Sequence, residues 1–196
     1  MNLNEGYYPV APGKLANVQT FLEMRAKPAL RDAPHGPWKL ERLQHPDLAR
    51  YRAVVHRVGD EYLWASRLTM SDSELEGFLE HPQIEAYLLV ADSGDEGVLE
   101  LDFRAGDACE LSLFGVAVSL VGTGAGRWLM NHGIEIAWSH PIERFWLHTC
   151  TLDHPNALAF YQRSGFRPFR REIEIYGDPR VLGITRRDAA PRVPIL

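Results

Sequence analysis

Apolar and polar residues alternate from residue 15 to 24, with Ala16, Val18, Thr20, Leu22 and Met24 on one side, a pattern that predicts a half-buried strand. Pro28, Pro34 and Pro37 then punctuate a loop. The period changes from Asp47 to Val58, where Leu48, Tyr51, Val54, Val55 and Val58 recur at helical spacing with arginines between them. Ser71-Asp72-Ser73-Glu74 has the form of a capping box. Leu75, Phe78 and Leu79 follow on one helical face until His81-Pro82 stops the helix. Strands are expected over roughly 84–91, 97–103 and 109–118. The turn formers Asp92-Ser93-Gly94-Asp95 and Arg104-Ala105-Gly106-Asp107 separate them, which predicts an antiparallel meander.

After the meander, Gly122, Gly124 and Gly126 open a helix whose stripe is Met130, Ile134, Ala137 and Trp138 and which ends before Pro141. A strand at 144–150 follows, then a short helix around 155–164 closed by Gly165, then an alternating strand at 167–176. The strand–helix–strand passage implies parallel pairing of 109–118 with 144–150. The expected fold is therefore α/β (α+β): a mixed, twisted, mostly antiparallel sheet flanked by helices. The tail 177–196 carries three prolines and little periodicity. It folds over the sheet, joins a homodimer through Val193, Ile195 and Leu196, or stays disordered, as termini often do.

Composition narrows the function classes. The 196 residues, 45% hydrophobic and 24% charged, suit one soluble domain with a proper core. A net charge of -5 argues against a nucleic-acid or membrane footprint built from bulk positive charge. Cys109 and Cys150 give no disulfide framework and suit a reducing compartment. Met1-Asn2-Leu3-Asn4-Glu5-Gly6 lacks the basic and apolar regions of a signal peptide, and no apolar run reaches membrane-spanning length, so a cytoplasmic protein is expected.

The strand leading into Gly122-Thr123-Gly124-Ala125-Gly126 forms a backbone-built socket for phosphate. Free N–H groups at the helix start point outward, the dipole favours negative charge, and glycine permits close approach. A dinucleotide fold needs G-x-G-x-x-G, but the third glycine position falls on Arg127. A nucleotide P-loop needs G-K-[S/T], and no lysine lies nearby.

What remains resembles the GNAT superfamily of acyl-CoA-dependent N-acetyltransferases. Its signature, a strand followed by Q/R-x-x-G-x-G/A entering a helix, is matched in its glycines by Val121-Gly122-Thr123-Gly124-Ala125-Gly126. Val121 and Thr123 depart from it, standing where the family usually or often carries polar or basic side chains. A second segment, Asn156, Ala157, Phe160, Tyr161, Gly165 and Phe166, resembles the family's downstream pattern. The resemblance covers roughly residues 84–176 and implies an acetyl-CoA-binding core there, with 1–83 supplying acceptor-side elements and 177–196 a tail on a single 1–196 domain. It implies acetyl-CoA as co-substrate and an unidentified amine as acceptor, with direct attack and no acyl-enzyme. An acyltransferase using another acyl-CoA and a non-catalytic acyl-CoA sensor remain alternatives.

By the same resemblance, Tyr161 donates a proton to the departing thiolate, which a phenol can do at neutral pH. It also suits packing with Ala157, Phe160 and Ser164. The candidate base is Glu110, which strand alternation puts on one face with Ser112 and Phe114. Glu100 and Asp102 compete for that role, and a solvated carboxylate is the plain alternative. Backbone N–H groups of Phe114, Gly115 and Val116 would hold the thioester and pantetheine arm, and Val121 to Arg127 the pyrophosphate. Asn156 would contact the co-substrate through its amide, though beside Pro155 it also suits a helix start. Trp38, Tyr62 and Trp64 fall where the family builds its acceptor pocket. His148, Cys150, Asp153 and His154 have ligand chemistry but no closed metal spacing, and Cys150 lacks a sequence-evident base, so no metal and no thiol nucleophile are expected.

Overall fold

A computed structural model describes residues 4–45 and 47–196. The first three residues, on which the signal-peptide reading partly rests, lie outside it. The first alternating segment forms β1 (Lys14–Met24). A four-residue strand that no periodicity announces, β2 (Lys39–Arg42), comes next. Helix α1 (Leu48–Gly59) starts where Asp47 accepts from the Arg50 amide at 3.0 Å, and it buries Tyr51, Val54, Val55 and Val58. The capping box opens α2 (Asp72–Leu79): Ser71 Oγ accepts from the Glu74 amide and the Glu74 carboxylate from the Ser71 amide.

The meander comprises β3 (Ile84–Ala91), β4 (Gly94–Asp102) and β5 (Ala108–Val116). Its first turn is tighter than expected: β4 resumes at Gly94, which pairs with Ala91 and adopts a φ of +112°. Helix α3 (Ala125–Ala137), β6 (Arg144–Cys150), α4 (Ala157–Arg163) and β7 (Arg167–Gly177) complete the order.

The seven strands form one sheet in the order β2-β3-β4-β5-β6-β1-β7, antiparallel except for β5 and β6. These two pair in parallel only from Ala108↔Arg144 to Glu110↔Trp146, and the rest of the β5 edge facing β6 has no strand partner among the described residues. On one face α3 and α4, the latter through Tyr161, cover Leu22, Leu99, Leu101, Phe145 and Phe166. On the other, α1 and α2 cover Leu88, Val98 and Leu113.

Two expectations from alternation are corrected. In β1, Leu22 and Met24 are buried but Ala16 and Val18 are exposed, while Leu15 and Asn17 on the opposite face are buried. Period 2 assigns faces, not what lies over each end: Leu22 and Met24 pack into the α3–α4 core, whereas the tail covers the reverse face at Leu15. In β5 a bulge at Ser112 makes Glu100 face Leu113 and Leu101 face Leu111. The extra residue shifts the phase, so Glu110 and Ser112 face the α1–α2 side and Phe114 faces α3 and α4.

β1 lies between β6 and β7, hydrogen-bonded to both, so residues 25–38 must travel from the sixth position of the sheet to its first. They do so as a proline-punctuated strap. Pro28 packs at Gly165, Asn131 Nδ2 donates to Arg31 O at 2.7 Å, Arg127 Nη1 donates to Asp32 O at 3.1 Å, and Trp38 packs on Trp128. The tail folds over the sheet, one of its expected forms. Buried Arg180 pairs with Asp178 and donates to the carbonyls of Ala189, Ala190 and Val193, which folds the tail back over Leu15 and Leu63. Among the described residues no helix is long and apolar enough to cross a membrane.

Candidate functional site

Two structures meet where β5 and β6 part. The first is the glycine turn. A 3-10 turn, Val118–Leu120, leads into Gly122 (φ +83°) and Gly124 (φ +96°), conformations that side chains disfavour. Thr123 Oγ1 donates to Leu120 O at 2.7 Å and accepts from the Ala125 amide at 3.3 Å, bracing the turn internally. The amides of Gly124, Gly126 and Arg127 meet no acceptor among the described residues, and a Cβ at Gly122 or Gly126 would meet nothing within 4 Å. An open helix start with free N–H groups fits a phosphate-bearing ligand. Gly124 has a second cause: a Cβ there would lie 2.2 Å from Pro34 Cγ, so the strap presses directly on the turn. Arg127, at the end of the socket, is turned to the strap, and its buried Nε has no partner among the described residues. Val121, Thr123 and Asn156 are exposed, and the Asn156 side chain does not cap α4.

The second structure is a cavity of about 670 Å³ on the α1–α2 side. Its floor is the sheet: Glu110 and Ser112 from β5, His148 and Cys150 from β6, Asn17 and Gln19 from β1, Glu174 and Tyr176 from β7. Its roof is the segment from Tyr62 to Met70 and, from the tail, Leu182 and Ile184. Because the sheet is open between β5 and β6, Phe114 and Tyr161, which pack on the far face, also reach this cavity. Tyr161 is wedged against Phe114, Phe160 and Phe166, with ring centroids 5.5–6.2 Å apart. Gly115 sits under α1, where a Cβ would lie 2.6 Å from Val58 Cγ1 and 2.9 Å from Trp64 Cη2.

The carboxylates differ sharply. Glu100 is fully buried; Arg67 grips it with Nη2 at 2.8 Å and Nε at 3.0 Å, and the hydroxyls of Tyr51 and Ser112 donate to it. Burial pushes its carboxyl up, while this ring of donors supports the charged form, so Glu100 anchors the bulge. Burial also pushes Asp102 up, but its pairing with Arg104 outweighs that and holds it low. Asp153 accepts from Trp64 Nε1 (2.9 Å), Thr149 Oγ1 (2.7 Å) and the Cys150 amide (2.8 Å), pinning the roof to the β6–α4 loop. Glu110 has no such set. Burial raises it to about 6, with Asp102 adding and Arg67 and Arg104 opposing. It is therefore mostly ionised at neutral pH yet weakly held, as a base should be.

Burial pushes the Tyr161 phenol well above its ordinary range, with Asp153 adding, so it keeps its proton. Burial likewise pushes the Cys150 thiol up to about 12, which leaves no thiolate for nucleophilic attack. Among the described residues no group of three His, Cys, Asp or Glu side chains is placed to hold a metal ion.

The structure thus brings Tyr161, Glu110 and Phe114 to one cavity, and Val121 to Arg127 to the adjoining turn. Asn156 stands exposed before α4, away from the cavity floor. Of the three aromatics, Tyr62 and Trp64 line the cavity, whereas Trp38 belongs to the strap. Sequence reasoning missed Gln19, Arg67, Glu174 and the tail residues, and it considered His148 only as a metal ligand. The alternation of Trp146, His148 and Cys150 on β6 was the available signal for His148.

The sequence profile of the acetyltransferase (GNAT) family matches residues 37–166. A search of curated proteins finds no match. Among solved structures, the chain resembles a GCN5-related N-acetyltransferase from Sphaerobacter thermophilus, with a TM-score of 0.57 and 16% identity over 88% of this chain and 53% of that one. It resembles a tandem GNAT protein from the clavulanic acid biosynthesis pathway, with a TM-score of 0.58 and 17% identity over 83% of this chain and 53% of that one. An aminoglycoside acetyltransferase from an uncultured soil metagenomic sample, solved with sisomicin, is similar with a TM-score of 0.54 and 17% identity over 66% of this chain and 88% of that one. The chain spans about half the length of the first two. At these identities the likeness concerns the fold.

Proposed function

The chain belongs to the acetyltransferase (GNAT) family, and from that premise we propose that it transfers the acetyl group of acetyl-CoA to a primary amine by direct attack. The observation that carries this reading is that Glu110 and Tyr161, from opposite faces of the sheet, line one cavity at the place where β5 and β6 part. A base on one side and an acid on the other is what acyl transfer between two substrates requires.

In this reading the amides of Gly124, Gly126 and Arg127 hold the pyrophosphate, with Val121, Gly122, Thr123 and Ala125 shaping the turn. The unpartnered edge of β5 at Phe114, Gly115 and Val116 receives the pantetheine arm and orients the thioester carbonyl. Asn156, exposed before α4, contacts the same arm through its amide. The amine enters from the α1–α2 side, past Tyr62 and Trp64, and the carboxylates of Glu110, Asp153 and Glu174 favour a cationic acceptor. Glu110 takes a proton from the ammonium, the freed amine attacks, its nitrogen gives up a second proton to the polar groups of the cavity as the C–N bond forms, and Tyr161 protonates the thiolate as the C–S bond breaks.

The test is a CoA-release screen over amine classes with acetyl-, propionyl- and succinyl-CoA, using Tyr161→Phe as control. Turnover with acetyl-CoA and a cationic amine, lost in the control, is expected. A ping-pong pattern with a trapped acyl-enzyme would sink direct attack. The engagement of Arg127 by the strap favours a second reading, an acyl-CoA sensor without turnover. Binding of acetyl-CoA with no CoA release from any amine would select it.

A further inference from the structure

A line of polar side chains crosses the cavity floor over four adjacent strands, from Glu110 on β5 through His148 on β6 and Gln19 on β1 to Glu174 on β7. The directions of its hydrogen bonds can be read from the far end. Glu174 Oε2 only accepts, and Gln19 Nε2 donates to it at 2.7 Å, as Asn17 Nδ2 does at 2.9 Å. With its amide nitrogen so committed, Gln19 turns its Oε1 to His148 Nδ1, 2.9 Å away. An amide oxygen cannot donate, so Nδ1 carries the hydrogen, and in the neutral ring Nε2 is left with its lone pair. That Nε2 faces Glu110 Oε1 at 3.9 Å, too far for a hydrogen bond.

The chemistry gives a second acceptor a role. An ammonium substrate sheds one proton before attack, and its nitrogen sheds another as the C–N bond forms and the C–S bond breaks. Tyr161 gives one proton to the thiolate and recovers one from solvent, so the net release is a single proton. Glu110 accommodates one of the two protons from nitrogen. Of the other carboxylates, Glu100 is locked by Arg67, Asp102 by Arg104 and Asp153 by three donors, and Glu174 is held by Asn17 and Gln19. Resting on the acetyl-transfer reading above, we propose that His148 is a second proton acceptor working with Glu110, and that Gln19 and Glu174 are positioning residues that fix its tautomer.

The surroundings of His148 bear on both its states. His148 is partly open to solvent, with 42% of its side chain exposed, and the desolvation of its covered part pushes the imidazole below the ordinary value, which favours the neutral, accepting form. The charged groups around it are Glu110 on β5, Glu174 and Arg170 on β7, and Asp153 in the β6–α4 loop. Arg170 stacks on Phe21, whose ring packs on His148. Glu110, Asp153 and Glu174 favour the imidazolium once it forms, and proximity to Glu110 lets the two share the load.

Nitrogen-detected NMR of histidine-labelled full-length protein, assigned with His148→Gln, tests the tautomer without any substrate. An Nδ1–H imidazole that loses its bias in Gln19→Leu is expected, and an Nε2–H imidazole in the native protein overturns the proposal whether or not any amine is acetylated. Absence of turnover with every amine would count against acetyl transfer alone, leaving the tautomer to decide the positioning. With an active amine, His148→Gln should lower kcat at neutral pH by about tenfold or more, the low end of general-base effects or below. The loss should shrink for weakly basic amines that arrive already neutral. An unchanged kcat and pH profile, in a variant with native thermal stability, would overturn it.

Discussion

The glycine turn and the carboxylate cavity adjoin, yet they are built on opposite plans. The turn works through backbone: free amides, two positive-φ glycines and an open approach, all contained in residues 121–127. The cavity works through side chains drawn from β1, β5, β6, β7, the segment before α2 and the tail. A backbone site tolerates side-chain change but not a Cβ in the wrong place. A side-chain site tolerates local backbone variation but loses function when one titratable group is altered. Each can therefore be broken in a way that leaves the other standing.

The largest expected effect lies in the cavity. Glu110→Gln should lower kcat/KM by about 10²-fold at pH 8, within the range of general-base catalysis, while leaving acetyl-CoA affinity unchanged by calorimetry. In the native protein kcat/KM for the proposed reaction should fall as pH drops through about 6, because Glu110 becomes protonated there. That limb should be absent from the variant. Survival of the limb would assign it elsewhere.

Tyr161→Phe comes next, where the two regions meet. It should reduce kcat by about 10²-fold, with KM for the amine little changed, since the ring packing is retained and only the proton is lost. A change confined to KM would make Tyr161 a packing residue.

The turn itself is probed by a pair. Gly122→Ala should cost about 1 kcal/mol of stability from its positive φ alone, because its Cβ meets open space. Gly124→Ala should cost about 1–2 kcal/mol more, because its Cβ also strikes Pro34. Denaturant melts of both, and of Gly124→Ala combined with Pro34→Ala, check this. Equal losses would mean that the strap does not bear on the turn.

The smallest effect runs the other way. Glu110 holds its proton more tightly folded than unfolded, its value rising from 4.5 to about 6. This contribution is fully present below the unfolded value and is lost as pH rises through 6. At pH 8 ionised Glu110 therefore costs about 1–2 kcal/mol. Glu110→Gln should stabilise the protein by that amount at pH 8 and by nothing at pH 4, measured as a pH series of melts. A gain that persists at pH 4 would point to packing.

Much of this was legible in consecutive residues. The capping box at Ser71–Glu74, the meander and the glycine turn each depend on neighbours a few positions apart. Their hydrogen bonds and φ values are set by local sterics. Alternation, by contrast, misplaced Phe114 relative to Glu110, because the Ser112 bulge is held by Glu100, Arg67 and Tyr51 from three other segments. The same alternation in β1 and β7 gave no warning that Ala16, Val18, Ile173 and Ile175 would lie exposed.

What the sequence by itself determined is therefore most of the elements, β2 excepted, and the glycine turn before α3, since 3.6- and 2-residue periods, caps and glycines act within a few residues. Only the tertiary structure decided that β1 would lie between β6 and β7, that residues 25–38 would strap α3, and that Gln19 and Glu174 would reach His148. Those outcomes depend on which long-range pairing buries the most apolar surface and satisfies the most hydrogen bonds across the whole sheet, a balance that no local run of residues encodes.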